Sequence, residues 1–356
     1  MKAAHFFLGA NTGDGFRSLF SQLEEDRTLY DLMILKGGPG TGKSTFLTLA
    51  GQELERAGTA VEYIHCAGDP ESLDAVLLPE LRCALADGTP PHTLEPSYPL
   101  AVQRCVDLNR FCDITAAKAA REDIIRLTDA ESRAYGRAFH ALKAARQVEL
   151  DGAASARRAM DWHRLERRIA GVACRELRRR GGEPGFTALR FLGGETWMGP
   201  VRRFDTVEAL CPRVYALQDS FGLAGAALEG LRETAAERGW NTVACPAPEE
   251  PERLEHLLIP GLGLAFVTTR PGMEWPGKPA RRLRLDAMVQ PENRGRLRFE
   301  TRMARSLRQE AEDALKEAHD VHAALEELYR PYVDFDGIRR LAALETARLI
   351  SWMQGC

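Results

Sequence analysis

Leu32-Met33-Ile34-Leu35-Lys36-Gly37-Gly38-Pro39-Gly40-Thr41-Gly42-Lys43-Ser44-Thr45 is the stretch on which the reading of this chain turns. Gly37 to Ser44 fits the pattern G-x-x-x-x-G-K-[ST] of a phosphate-binding loop. The apolar run Leu32–Leu35 reads as a strand, and the residues from Ser44 to about Arg56 read as a helix. A strand, a glycine-rich turn and a helix start are what an anion needs, because successive backbone N–H groups converge and the helix N-terminus adds positive potential. In this reading Gly38, Pro39, Gly40, Thr41, Gly42, Lys43, Ser44 and Thr45 form the cradle of a nucleotide. Lys43 reaches the β- and γ-phosphates, and the Ser44 hydroxyl ligates Mg²⁺.

Working outward, residues 60–66 read as a strand, and Asp69-Pro70 as the opening of a helix over 71–79, with Asp69 its N-cap. Residues 82–86 read as a strand that ends at Asp87-Gly88-Thr89. Strands alternating with helices predict an α/β fold, a parallel sheet with helices on both faces. A ligand then sits at the carboxyl edge of the sheet. Asp87, at a strand end, is the candidate second metal group, holding a Mg²⁺-bound water. The plain alternative is a turn-forming Asp-Gly. Gly88 stands where many such ATPases place a glutamate, so the hydrolytic base is open. Asp69 is the candidate to polarise a water or an acceptor hydroxyl, and its capping role explains it equally well. His65 and His92 read as packed or surface residues. Asn11 to Phe16 is a second glycine-rich loop, either closing over a nucleotide or turning between elements.

The chain repeats itself. Phe7-Leu8-Gly9 and the glycines after it resemble Phe191-Leu192-Gly193 at an offset of 184. Leu35–Thr45 falls opposite Leu217–Ala227, and Glu71–Leu81 opposite Glu252–Leu262, at offsets of 182 and 181. His140–Gly152 echoes His322–Gly337 late in each half. This predicts a tandem duplication with modules at residues 1–185 and 186–356. Gly37–Ser44 corresponds to Asp219–Ala226, where no lysine and no hydroxyl match Lys43 and Ser44. Asp219 places a carboxylate where phosphate oxygens would lie, and Thr268 stands near the position of Asp87. The second module is therefore expected to keep the fold and lose the chemistry. Apolar periodicity over 114–148 and 300–328 predicts long amphipathic helices that pack on each other as a hairpin.

Composition narrows the class. The 356 residues carry a net charge of −3, so no global bias toward nucleic acid or anionic membrane exists. No apolar run approaches the ~18 residues of a membrane span. The apolar core of Met1–Gly9 is too short for a secretory signal. The eight cysteines are scattered, which fits buried thiols in a reducing cytoplasm and gives no zinc site. Two stretches, 157–180 and 278–308, are rich in arginine. Acidic residues interleave with them and aromatics are sparse, which favours solvated helix faces over a polynucleotide partner.

Phe6–Phe16, the loop at 37–44, and Glu62–Cys66 followed by Asp69-Pro70-Glu71-Ser72-Leu73-Asp74 resemble an uncharacterised family of bacterial tandem P-loop ATPases. The resemblance covers most of the chain. It implies two P-loop NTPase modules in one polypeptide and a cytoplasmic ATP-binding protein, without a known substrate. The chain departs from the family's pattern at 219–226. The expectation is therefore a Mg²⁺-dependent ATPase with one site, its chemistry carried by Lys43, Asp87 and Asp69. The alternatives are a kinase for a small molecule or nucleotide, and a non-hydrolysing ATP-dependent switch for a protein partner.

Overall fold

The computed structural model describes residues 3–290 and 294–355. The first half contains β1 (Ala4–Phe7), β2 (Gly9–Thr12), β3 (Gly15–Ser18), α1 (Ser21–Glu25), β4 (Asp31–Lys36), α2 (Lys43–Arg56), β5 (Glu62–His65), β6 (Leu73–Leu78), β7 (Cys83–Asp87) and β8 (Gln103–Asp107). The helices α3 (Ile114–Ala117), α4 (Arg121–Arg158) and α5 (Trp162–Glu176) follow. Next come β9 (Thr187–Leu189), β10 (Gly193–Thr196), β11 (Gly199–Arg202), α6 (Phe204–Leu210), β12 (Arg213–Gln218), α7 (Gly225–Glu237), β13 (Thr242–Ala247), β14 (Glu250–Ile259), β15 (Leu264–Thr269) and β16 (Arg281–Arg284). The chain closes with α8 (Arg294–Tyr329) and α9 (Phe335–Gly355).

Two six-stranded sheets run in the orders β1-β5-β6-β7-β4-β8 and β9-β13-β14-β15-β12-β16. The orders match strand for strand. In each, the third strand, β6 or β14, is antiparallel to both neighbours and the other pairings are parallel. The sheets are therefore mixed, which corrects the expectation of parallel sheets. The cause is β6, read from sequence as a helix over 71–79. Leu73–Leu78 is buried along its whole length between β5 and β7. A short apolar run of that kind has no period that separates strand from helix. Asp69 caps no helix. It closes the turn between β5 and β6 by accepting from the Ser72 hydroxyl (2.7 Å) and offering its backbone carbonyl to Ser72 N (2.9 Å).

A four-stranded antiparallel sheet, β11-β10-β2-β3, joins the halves. Phe7 and Phe191 exchange two backbone hydrogen bonds of 2.9 Å each, and Asn11 pairs with Glu195. Both pairs carry the sequence offset of 184, so each position meets its own counterpart, as across a two-fold axis. One core unites the inner faces of the two large sheets, with Ile34 and Ile64 from one and Val214, Leu258 and Val267 from the other.

The outer faces are covered crosswise. On the first sheet α2 lies under α9, with Phe46 and Leu47 beside Ile338, Ala342 and Leu349. On the second α7 lies under α5, with Leu228 and Leu231 beside Leu165 and Val172. The helices α4 and α8 form an antiparallel pair, with the small residues Ala138 and Ala141 letting Ala311, Ala314 and Leu315 approach closely. Ion pairs His322–Glu131, Arg137–Glu317 and Arg308–Glu149 run along its length. Among the described residues no helix is long and apolar enough to cross a membrane.

Candidate functional site

The glycine-rich segment leaves β4, a central strand whose interior Leu32–Leu35 is fully buried, and enters α2. Gly40 and Gly42 hold φ of 67° and 80°, left-handed values that favour glycine. Gly42 caps α2 and brings no side chain to its first amides. Those N–H groups have no partner within the helix, so they face the loop as donors. Thr41, buried, donates from its hydroxyl to Gly38 O at 2.7 Å and holds the turn. Lys43 Nζ donates to the carbonyls of Gly37 and Gly38 at 2.8 Å each, and lies 3.6 Å from Asp87 Oδ2. Ser44 Oγ accepts from Leu73 N at 3.0 Å, which leaves its own proton free to donate.

Behind Lys43 the sheet assembles a buried cluster. The register Leu35↔Asp87 sets Asp87 beside the end of the strand that feeds the loop. Asp74 on β6 and His92 past β7 complete the group, each 5 % exposed. One ligand atom from each of Asp74, Asp87 and His92 lies within 4.8 Å of the others. His92 Nε2 is 3.3 Å from Asp74 Oδ2. Asp87 Oδ1 accepts from Thr89 N and from the Thr89 hydroxyl, at 2.8 and 2.6 Å. Burial pushes the Asp87 carboxyl above the usual carboxylate range, against the pull of Lys43 and His92. For His92, burial favours the neutral ring, but the Asp74 and Asp87 carboxylates outweigh it and raise the pKa above 6.5.

Asp74 and His92 are not among the site candidates read from sequence. Asp74 lies inside what reads as a helix, and His92, read as a packed or surface residue, is packed. The available signal was an acid enclosed by apolar residues in Leu73-Asp74-Ala75-Val76-Leu77-Leu78. His92 Nδ1 is buried with no hydrogen-bond partner among the described residues, and Asp74 Oδ2 has the 3.3 Å approach of His92 Nε2. The two carboxylates are hard oxygen donors of the sort Mg²⁺ takes, and the imidazole beside them is not.

Asp69 lies elsewhere. It sits on the turn after β5, where Trp197 Nε1 approaches its Oδ1 at 3.5 Å. Its carboxylate and the Lys43 ammonium both act on Glu326, in opposite senses. Asp69 thus faces the helical cover of the loop. That cover comes from the far end of the chain: a Cβ on Gly40 would lie 3.2 Å from the Glu326 backbone, and one on Gly42 3.1 Å from Ile338. His65, 8 % exposed, is a packed residue held between His5 Nδ1 (3.0 Å) and Pro70 O (2.7 Å). Burial drops its pKa to about 4. The Asn11–Phe16 segment is the turn of the β2–β3 hairpin. Gly13 N donates to Glu249, and the turn is pressed on the backbone of Lys143 in α4.

The second loop shares one left-handed turn with the first and differs in chemistry: Ala224, opposite Gly42, is right-handed with φ of −73°. Gly222 repeats the left-handed twist of Gly40 with φ of 68°. Asp219, 2 % exposed, accepts from Ala224 N at 2.7 Å and from Phe221 N at 3.2 Å. A carboxylate of the chain itself thus occupies the amides that an anion would use. Burial raises the Asp219 pKa and the amides of Leu223, Ala224 and Phe221 oppose the rise. Thr268 pairs with Leu217 as Asp87 pairs with Leu35, and its hydroxyl donates to Glu255 O. No protein-family model matches this chain, and no characterised protein or solved structure matches it either.

Proposed function

We propose that residues 37–44 bind ATP with Mg²⁺ and that the chain is an ATPase with one working site. The observation that carries this reading is the uncapped start of α2, with Lys43 docked on the loop carbonyls 2.8 Å away and Asp87 3.6 Å behind it. The loop amides and the α2 N-terminus would receive the phosphates. Lys43 would exchange its two carbonyl bonds for phosphate oxygens, and its charge would offset the charge that develops on transfer. Ser44, Asp87 and Asp74 would hold Mg²⁺, which supplies charge neutralisation at the phosphate oxygens when bound. His92 would orient Asp74 and keep a proton beside it. The repeated strand order supports two P-loop-type modules, 1–185 and 186–356, each covered by the other's terminal helix. A cytoplasmic location belongs to the same reading.

Phosphate release by wild type and Lys43→Ala, with calorimetric binding of ATP, GTP and ADP in the presence and absence of Mg²⁺, tests the proposal. Loss of both binding and turnover in the variant is expected. Equal release from the two proteins would end it.

One observation favours a second reading, a switch without turnover. The C-terminal helices α8 and α9 touch Gly40 and Gly42, so a bound nucleotide would press on the cover. Tight binding with negligible phosphate release, and a protease pattern in α8 that changes with ATP, would select it.

A further inference from the structure

At the carboxyl edge of the second sheet a cleft of about 1520 Å³ opens between the loops after β12, β15 and β16 and the helices α4 and α8. Nine arginines and no lysine line it, against five carboxylates. The arginines are far apart in sequence. They come from α4, from β11 and β14, from the turn after β15 and from the first half of α8. Read along the chain, the arginine-rich stretches looked like solvated helix faces. Arg157, Arg298, Arg302 and Arg305 are indeed exposed on helices, and the fold also sets them along the walls of one concavity in a protein whose net charge is −3.

Some of these guanidinium groups are spent internally. Arg146 and Arg253 share Glu250, and Arg308 is held by Glu149 and Glu195. Arg157, Arg298, Arg302 and Arg305 are exposed and have no ion-pair partner among the described residues. Arg298, Arg302 and Arg305 follow i, i+4, i+7 spacing, so they form a stripe on one face of α8 about 10 Å long. A stripe of that length addresses several successive charges. The volume exceeds the ~300–1,000 Å³ of ordinary small-molecule pockets, which argues for a longer ligand. Guanidinium groups suit phosphodiesters because their planar fork bonds two oxygens and stacks on a base. Phe221 and Leu150 interleave apolar surface for base contact. The amides of the 219–226 loop are already taken by Asp219, so a terminal phosphate has no cradle there and recognition falls to the side chains.

We propose that this cleft binds single-stranded nucleic acid, with Arg157, Arg298, Arg302 and Arg305 on the phosphodiester backbone. The proposal is independent of nucleotide binding at residues 37–44, and its test contains no ATP.

Fluorescence anisotropy of a labelled oligothymidylate with the full chain, over a series of salt concentrations, measures it. Four neutralised phosphates give a slope of log affinity on log salt of about −3. In Arg302→Glu/Arg305→Glu the affinity should fall about tenfold or more and the slope should shrink to about −1.5. Arg302→Lys/Arg305→Lys should keep the slope. Arg157→Glu, on the opposite wall, should weaken binding as well. Circular dichroism of each variant serves as the folding check, and all these side chains are exposed. Absence of binding by wild type, or affinity unchanged by the double charge reversal, would overturn the proposal. Loss confined to the α8 variants would reduce the cleft to a helix face and overturn it too. Equal affinity for inorganic polyphosphate of matching charge would remove nucleic acid as the ligand.

Discussion

The loops at 37–44 and 219–226 occupy matching places in the two sheets and carry charged groups of opposite sign, Lys43 in one and Asp219 in the other. Each follows a buried strand of the same sheet order, and each has a glycine near φ of 67–68° at matching positions, Gly40 and Gly222. In the first, an ammonium group rests on loop carbonyls and leaves the amides outward. In the second, a carboxylate satisfies the amides from within. A buried N–H must find a partner, so a loop of this kind with no external anion is stable only if the chain supplies an acceptor. Asp219 does so. The comparison teaches that a loop of this shape holds its amides satisfied when a side chain of the chain itself supplies the acceptor.

The largest expected effect falls on the first loop. Lys43→Ala or Asp87→Asn should lower phosphate release by about 10²-fold or more, with the thermal midpoint nearly unchanged. A rate within twofold of wild type would break the assignment of chemistry to this side.

The second loop is expected to answer in stability instead. Asp219→Ala strands the buried amide of Ala224 and should cost about 1–3 kcal/mol. Chemical denaturation reads this directly, and an unchanged midpoint would mean that the carboxylate does not hold the loop.

The glycines sharpen the contrast further. Gly40→Ala and Gly222→Ala each carry the left-handed cost of about 1–2 kcal/mol. At Gly222 the new methyl meets the Arg253 guanidinium, 3.0 Å away on a flexible side chain. At Gly40 it meets the Glu326 backbone. Gly40→Ala should therefore be the more destabilising, and the reverse order in parallel melts would show that α8 does not seal the first loop.

The smallest effect concerns pH. Hydrogen bonds to Glu131 and Glu326, with burial opposing, raise the His322 pKa from 6.5 to about 10. A raised folded-state value stabilises fully below the unfolded value and is lost as pH climbs through the folded one. Wild type should exceed His322→Gln by a constant margin below pH 6.5, and the margin should close toward pH 10. A margin that grew on the alkaline side would exclude a stabilising pair of His322 with Glu131 and Glu326.

Much of this was legible locally. The strand, loop and helix around Lys43 follow from short-range rules: an apolar run, glycines at left-handed positions, a helix start. The repeat was visible because Phe7 and Phe191 sit in similar local sequence. The strand β6 was not legible, because Leu73–Leu78 between two strands looks like a helix face until its neighbours are known. The meeting of Asp74 and His92 was not legible for the same reason. Separated by 18 positions in the chain, they meet only when β6 and β7 pair.

What the chain decided by itself is therefore the loop at 37–44, its altered twin at 219–226 and the α/β character of both halves, since backbone dihedrals and hydrogen bonds over a few residues settle these. Tertiary structure alone decided that β6 runs antiparallel, that α9 covers the first sheet and α5 the second, and that scattered arginines line one cleft. Burial and charge act through space, and their energies depend on which surfaces meet rather than on how far apart the residues lie in the chain.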